Sequence, residues 1–142
     1  MTRALTIRQP WAAAIAYADK RIENRTWPTS YRGPVLIHSS KTLDRRHGPM
    51  VAAVVRGLQL DLGAVLAVAR IVDCHEDDGE CTPWSASGQF HHVLDEVTVL
   101  PLSVPWTGAQ GLWVPPADLL AKVREQLDEA TAARLLGEET SR

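Results

Sequence analysis

Residues 4–41 read ALTIRQPWAAAIAYADKRIENRTWPTSYRGPVLIHSSK, and their pattern changes from strand to helix and back to strand. A short apolar run at 4–7 predicts the first strand. Pro10 follows, and a proline fits the first turn of a helix because its missing N–H would have no partner there. Apolar residues then recur at helical spacing, which predicts a helix over 10–18.

The second half of this stretch returns to strand patterns. KRIENRTW alternates charged and apolar residues, and VLIH is a short apolar run typical of a buried strand. Pro28 and Gly33 mark the turns between them. The buried strand ends in the polar residues Ser39, Ser40 and Lys41, and binding sites are often built at such element ends.

The remaining chain carries four more elements and a final helix. Apolar spacing predicts a helix near 49–60, and a run rich in β-branched residues predicts a central strand over 63–72. Alternation predicts a strand over 90–100. The segment LWV, 112–114, should close the sheet, and an apolar stripe predicts a last helix over 117–136.

These residues also carry a family resemblance. RQPWAAAIAYADKRIENRTW, followed by YRGPVLIHSSK, resembles the opening of an ASCH domain, a branch of the PUA-like superfamily. GAVLAVARIVDC, WSASGQFHHVLDEVTVL and PWTGAQGLWVPP follow in matching order, so the resemblance covers residues 4–116. One departure is Ala18, where the G-x-K-x-x-E pattern of the family usually has glycine.

The resemblance implies a fold class and a general function. It implies an α+β fold, a small and strongly curved PUA-like β-barrel of five or six strands with flanking helices. The whole chain, 1–142, would form one such domain, with the helix at about 117–136 packed on it. PUA modules bind RNA, so RNA or single-stranded DNA is the expected partner.

Composition agrees with a single globular domain. A chain of 142 residues can bury a hydrophobic core without the help of disulfides or metal ions. No apolar run approaches the roughly 20 residues of a membrane span, and the N-terminus lacks the apolar region of a signal peptide. We therefore expect a cytoplasmic protein that does not associate with membranes. Nothing in the pattern specifies an oligomeric state.

The cysteine and histidine pattern predicts neither a disulfide, a metal nor a cofactor. Six residues separate Cys74 from Cys81, and His75 is next to the first cysteine; a reducing cytosol disfavours a disulfide. A zinc site would favour closer pairs. His91 and His92 could in principle complete a set of metal ligands. They are adjacent, however, and neighbouring residues of a strand point to opposite faces, which argues against a shared metal ion.

The charges are distributed unevenly along the chain. Residues 1–50 hold nine Lys/Arg against three Asp/Glu, a net charge of +6, whereas residues 51–142 have a net charge of −8. A one-sided positive field can attract a polyanion even when the molecule is slightly acidic. The alternative is a set of ordinary solvated charges. The positive face is predicted to bear Arg25, Arg32, Lys41, Arg45 and Arg46.

The resemblance places a group of polar and aromatic residues around one cleft. These residues are Trp11, Lys20, Glu23, Arg25, Trp27, Ser39, Lys41 and His91. The spacing is compatible with this, because Lys20 lies at a helix end and Glu23 and Arg25 share one strand face. A tryptophan could stack on a base, and Glu23 could accept from its amine or ring N–H.

Simpler interpretations of the same residues stay open. Lys20, Glu23 and Arg25 could form a salt-bridged turn that orders the junction between helix and strand. Ser39 could cap the end of its strand. As cleft residues, Lys20 and Glu23 are expected to lie outside the core.

Two classes of function fit the cleft. The first is a nucleic-acid-binding module that recognises one base or nucleoside. The second is a hydrolase. Some small members of the superfamily are amidohydrolases that release acetate from N4-acetylcytidine with a Lys, a Thr and a Glu. A ribonuclease activity has also been attributed to the family. Lys20 matches that lysine, but Glu23 stands where the threonine would be. Lys20 and Glu23 would be catalytic only in a variant mechanism, with Glu23 activating water and Lys20 stabilising the oxyanion. Binding is therefore the first hypothesis.

Overall fold

A computed structural model describes residues 1–77 and 82–137 of the chain. Within these ranges it has six strands and four helices. In chain order they are β1 (Arg3–Gln9), α1 (Trp11–Tyr17), β2 (Ile22–Arg25), β3 (Gly33–Leu43), α2 (Pro49–Val54), β4 (Ala64–His75), β5 (Phe90–Pro105), β6 (Leu112–Trp113), α3 (Ala117–Glu125) and α4 (Glu129–Leu136).

The six strands form one sheet in the order β2-β5-β4-β3-β1-β6. β1 pairs with β3 in parallel, and every other neighbouring pair is antiparallel. The sheet curls into a half-barrel with flanking helices. The predicted α+β fold with a curved, PUA-like sheet of five or six strands is therefore confirmed.

Both faces of the sheet are buried, as the alternation in β3 illustrates. Val35 and Ile37 pack in one apolar cluster, which includes Ile15 of α1. Leu36, between them, packs in the opposite cluster, which includes Leu119 of α3. Successive side chains of a strand point to opposite faces, so helices on both sides are needed to cover β3.

Irregular pairing accompanies the curl of the sheet. The register between β4 and β5 shifts at three places, one of them between the pairs Val65–Val104 and Ala67–Val99. Extra residues in one strand bend it and increase its twist. Pro101 lies in the longest such insertion, where a proline removes no hydrogen bond of the ladder. β5 therefore continues to Pro105 instead of ending near residue 100 as predicted.

Helix α1 confirms the predicted helix to within one residue at each end. Its buried residues are small apart from Ile15: they are Ala12, Ala13, Ala14, Ile15 and Ala16. The Oε1 atom of Gln9 accepts from the Ala13 backbone N–H at 2.9 Å and satisfies one N-terminal donor. Ala18 ends the helix at φ −122° and ψ −154°, an extended conformation that does not require the glycine of the family pattern.

Two predicted helices are shorter than expected. The helix predicted near 49–60 ends at Val54, and Gly57 has a φ of +80° that interrupts helical geometry. The helix predicted over 117–136 is two helices, α3 and α4. Asp128 separates them by accepting from the Thr131 backbone N–H at 2.8 Å, an N-cap that starts a new helix.

No helix of the described ranges is long and apolar enough to cross a membrane.

The packing of α3 on the sheet gives a stability prediction. Leu119 is fully buried, so Leu119→Ala should lower the free energy of unfolding by about 2–5 kcal/mol through lost burial and an unfilled cavity. Leu102 is 70% exposed, so Leu102→Ala should change it by less than about 0.5 kcal/mol. Urea denaturation of both variants measures the difference, and equal losses would contradict the packing described here.

Candidate functional site

An open cleft of about 1240 Å³ lies between the two ends of the curled sheet. Its lining comes from distant parts of the chain. Thr6 belongs to β1, Trp11 to α1 and Arg25 to β2, while Trp84 and Gln110 come from two later loops. Lys20, Glu23 and Trp27 also line it, so five of the residues predicted around one cleft lie together.

A buried ion network forms part of the cleft wall. The Nζ atom of Lys20 lies 3.0 Å from Oε1 of Glu23 and also donates to the backbone carbonyl of Ile22. On the other side, Nε of Arg25 donates to Oε2 of Glu23 at 3.0 Å, and Nη2 of Arg25 lies 2.9 Å from the same oxygen. Glu23 is therefore held between two cations.

The burial of this network corrects one expectation. Lys20 is 1% exposed and Glu23 is 7% exposed, although both were expected outside the core. A buried charge is tolerated when it is paired and hydrogen-bonded. The salt-bridged junction between helix and strand is therefore present, and it lies on the wall of the cleft.

The network also sets the protonation state of Glu23. Burial alone would raise the pKa of this carboxyl group, but the charges of Lys20 and Arg25 and their hydrogen bonds lower it below its ordinary value of 4.5. Glu23 is thus a carboxylate at neutral pH. An ionised carboxylate only accepts hydrogen bonds.

Arg25 connects the edge strand β2 to β1. Its Nη2 atom donates to the backbone carbonyl of Thr6 in β1 at 2.8 Å. β2 and β1 are separated by three strands in the sheet order, so no ladder hydrogen bond joins them. The guanidinium group spans the gap that the curl leaves.

Three tryptophans line the cleft, and polar contacts hold Trp11 and Trp27 among them. His92 Nε2 is 2.9 Å from the carbonyl of Trp27, and the two rings pack edge to face at 4.8 Å. Burial lowers the pKa of His92, so the imidazole is neutral and Nε2–H is the donor. Trp11 Nε1 donates to Asp44 Oδ2 at 3.1 Å.

Two predicted cleft residues lie elsewhere. Ser39 is fully buried, and its hydroxyl group both donates to and accepts from the backbone of Ala64 in β4, at 3.1 and 3.2 Å. β3 continues past Ser39 to Leu43, so Ser39 does not cap the end of its own strand; its hydroxyl group joins β3 to the first residue of β4. His91 is also fully buried, on the face of β5 opposite to His92, and its Nε2 is 2.9 Å from the carbonyl of Ala86.

Of the five cations predicted to form the positive face, only Arg25 lines the cleft. Lys41 lines a neighbouring pocket. Arg32 contacts the carbonyls of Thr29 and Tyr31 and lies 3.7 Å from Asp73. Arg45 and Arg46 are exposed, and Arg46 lies 4.0 Å from Asp44.

The structure adds cleft residues that the sequence analysis did not select. Arg8 of β1 is exposed and lines the cleft. Asn24 also lines it and bridges to the loop after β4, donating to the Trp84 carbonyl and accepting from the Ala86 N–H, each at 2.9 Å. Asn24 and Glu23 are adjacent in β2, so the strand pattern did not group Asn24 with Glu23. Only its hydrogen bonds to the loop after β4 identify Asn24 as part of the cleft wall.

A smaller pocket of about 340 Å³ adjoins the cleft. Thr6 lines both cavities, and its hydroxyl group lies 3.2 Å from Nδ1 of His38 and accepts from Nε1 of Trp113 at 3.0 Å. Gly108 passes so close to Thr6 and His38 that a Cβ atom would collide with both side chains. The absence of a side chain at Gly108 therefore lets the backbone pack directly against Thr6 and His38.

Among residues 1–77 and 82–137, no three His, Cys, Asp or Glu side chains come together in a way that could hold a metal ion. Cys81 lies outside these ranges, so its predicted lack of a disulfide or a metal is not addressed by the described residues.

Comparison with known families identifies the domain. The sequence model of the ASCH domain matches residues 5–110, about three quarters of the chain. The chain belongs to the ASCH domain family. This membership suggests a PUA-like module of the RNA-binding type. No curated protein matches the sequence of this ASCH domain closely enough to be reported as a relative.

The ion network of this ASCH domain makes its stability dependent on pH. The pKa of Glu23 is lower in the folded protein, so its stabilisation is present above pH about 4.5 and is lost as pH falls through the folded pKa. Glu23→Gln should lower the free energy of unfolding at pH 7 by on the order of 3 kcal/mol, because Lys20 keeps a buried charge without its counter-ion.

Urea denaturation of wild type and variant between pH 7 and pH 3 tests this linkage. The difference between the two proteins should shrink as the pH falls below about 4.5, because Glu23 of the unfolded wild type is protonated first and folded Glu23 becomes neutral only below its lowered pKa. Glu125 is exposed, so Glu125→Gln serves as the control and should follow wild type. A difference that does not vary with pH would show that the charge of Glu23 is not the cause.

Proposed function

We propose that this ASCH domain binds single-stranded RNA or DNA in the cleft and recognises one base, or the equivalent free nucleoside, beside the Lys20–Glu23–Arg25 network. The observation that carries the proposal is the buried, ion-paired Glu23 on the wall of a cleft that three tryptophans also line. A fixed acceptor next to an aromatic plane suits an unstacked base.

The hydrogen-bonding capacity of the network supports this role. An ammonium group has three donors, and the described residues provide partners for two donors of Lys20, Ile22 and Glu23. The third donor can meet a carbonyl or phosphate oxygen of a ligand. Oε1 of Glu23 accepts from Lys20, and its second lone pair can accept from an exocyclic amine or a ring N–H.

The size and aromatic lining of the cleft favour a nucleic-acid strand over a single small ligand. Pockets for small molecules typically measure roughly 300–1,000 Å³, whereas this cleft has about 1240 Å³. Trp11 and Trp27 offer ring faces for stacking, which contributes to single-strand binding whatever the base. Arg8 and Arg25 supply positive charge for the backbone.

Hydrolysis by the same residues is the alternative, and one observation favours it: Lys20 and Glu23 are in direct contact at 3.0 Å. The ion pairs, however, lower the pKa of Glu23, and a carboxylate with a low pKa is a weak base for activating water. The threonine of the related amidohydrolases is also replaced by Glu23. Binding therefore remains the proposed function.

Removal of a stacking surface tests the binding proposal. Trp27→Ala should weaken the binding of a short single-stranded RNA by about 1–3 kcal/mol, the usual contribution of one aromatic side chain stacked on a base. Trp27→Phe should restore much of this loss. Fluorescence anisotropy with labelled oligonucleotides measures the affinities, and urea denaturation confirms that both variants are folded. Unchanged affinity in Trp27→Ala would refute the proposal.

The variant Glu23→Gln separates binding from hydrolysis. In a binding module it should change which bases are preferred, because one acceptor oxygen becomes a donor amide. In a hydrolase, wild type should release acetate from N4-acetylcytidine or cut RNA, and the variant should lose about 100-fold in rate. We expect altered base preference without turnover. Turnover by wild type would replace binding with catalysis as the function.

The salt dependence of binding tests the contribution of Arg8. Each phosphate neutralised on a single strand adds a slope of about −0.7 to the plot of log affinity against log salt. Arg8→Ala should make the slope shallower by about this amount. Arg56 is exposed and does not line the cleft, so Arg56→Ala should keep the wild-type slope. Equal slopes in all three proteins would show that Arg8 does not contact the phosphate backbone of the ligand.

A further inference from the structure

We infer that the smaller pocket binds a second nucleobase, adjacent in the strand to the base held in the cleft. This inference rests on the proposed function. The smaller pocket is the cavity lined by His38, Lys41, Gly63, Trp106, Thr107 and Gly108, together with four residues that it shares with the cleft. It lies on the other side of Thr6 from the ion network.

Continuity with the cleft is the first argument. Thr6, Ser40, Ala109 and Gln110 line both cavities, so a strand can pass from one to the other over shared residues. The loop that carries Ala109 and Gln110 is exposed. The two cavities therefore form one surface with two compartments.

The size and lining of the pocket indicate its occupant. About 340 Å³ is at the small end of the range for ligand pockets, which suits one flat group instead of a chain. The lining surface is mostly apolar, and Trp106 is among the residues that form it. Bases taken out of a helical stack are commonly placed against such aromatic side chains.

A chain of hydrogen bonds fixes the polar edge of the pocket. A carbonyl group only accepts, so Nε2–H of His38 is the donor to the Trp106 carbonyl at 2.7 Å. Burial lowers the pKa of His38, so the ring is neutral and Nδ1 accepts from the hydroxyl group of Thr6. Trp113 donates to the same hydroxyl group. The one remaining lone pair of Thr6 can accept from an amino group or ring N–H of a base.

Positive charge lies where the linking phosphate would be. Lys41 is exposed and lines the smaller pocket but not the cleft. Its stem lies beside Gly63, close to the position that a Cβ atom would take there. An ammonium group on a flexible stem binds phosphate as a point charge. A phosphate between two occupied compartments would be within the reach of such a side chain.

The experiment compares 5′-mononucleotides with the matching 5′-phosphorylated dinucleotides by ¹⁵N NMR of the tryptophan indole N–H groups. Trp27 lines only the cleft and Trp106 only the smaller pocket, so each signal reports one compartment. Mononucleotides should shift the Trp27 signal. Dinucleotides should shift both signals and bind about fivefold to a hundredfold more tightly, as expected for one more stacked base.

Filling the smaller pocket gives the decisive variant. Thr107 is exposed and lines only this pocket, so Thr107→Trp should abolish the gain from the second nucleotide and leave mononucleotide binding unchanged. Leu102→Trp adds the same side chain at an exposed position that lines neither cavity, and it should keep the gain. Lys41→Ala should reduce the gain about fivefold, whereas Lys122→Ala, on α3, should not.

The outcomes distinguish this inference from the proposed function. If mononucleotides shift Trp27 but dinucleotides bind no more tightly and leave Trp106 unmoved, the second base site is refuted and binding in the cleft stands. The same holds if Thr107→Trp retains the full gain. If no nucleotide shifts the Trp27 signal, both proposals are refuted.

Discussion

The pairing of Lys20 with Glu23 is the constraint on which the cleft depends. An ammonium group that is 1% exposed needs a partner charge and hydrogen bonds. Lys20 follows α1 and Glu23 lies in β2, so this pair fixes the helix against an edge strand. Arg25 extends the network to the Thr6 carbonyl. Side chains thereby join the edge strand β2 to β1, two strands that no backbone pairing connects.

This arrangement means that a structural and a binding role of the network are not alternatives. The groups that hold the half-barrel in shape are also the groups that line its cleft. Their geometry is therefore fixed before any ligand arrives, which lowers the entropy cost of binding. A ligand would use the donors and lone pairs that remain, without separating the ion pairs.

The sequence predicted those features that depend on local pattern. The continuous apolar run of Val35, Leu36 and Ile37 was enough to predict a buried strand. The family resemblance, with which the spacing is compatible, grouped Lys20, Glu23 and Arg25. The positions of Ser39 and His91 were not predictable in this way. They depend on the register of β3 with Ala64 and on which face of β5 each adjacent histidine occupies, and neither is encoded locally.

In the proposed binding mode, the position of Thr6 would favour a short, flexible strand over a duplex. Its carbonyl is held by Arg25 and its hydroxyl group by His38 and Trp113, so the ridge between the two compartments is rigid. A rigid ridge fixes the separation of two bases and requires each of them to leave its neighbour. Stacked and paired bases resist that separation, whereas the bases of a single strand can be splayed apart. If both compartments hold a base, the geometry of this one β1 residue would select a ligand whose bases can be separated.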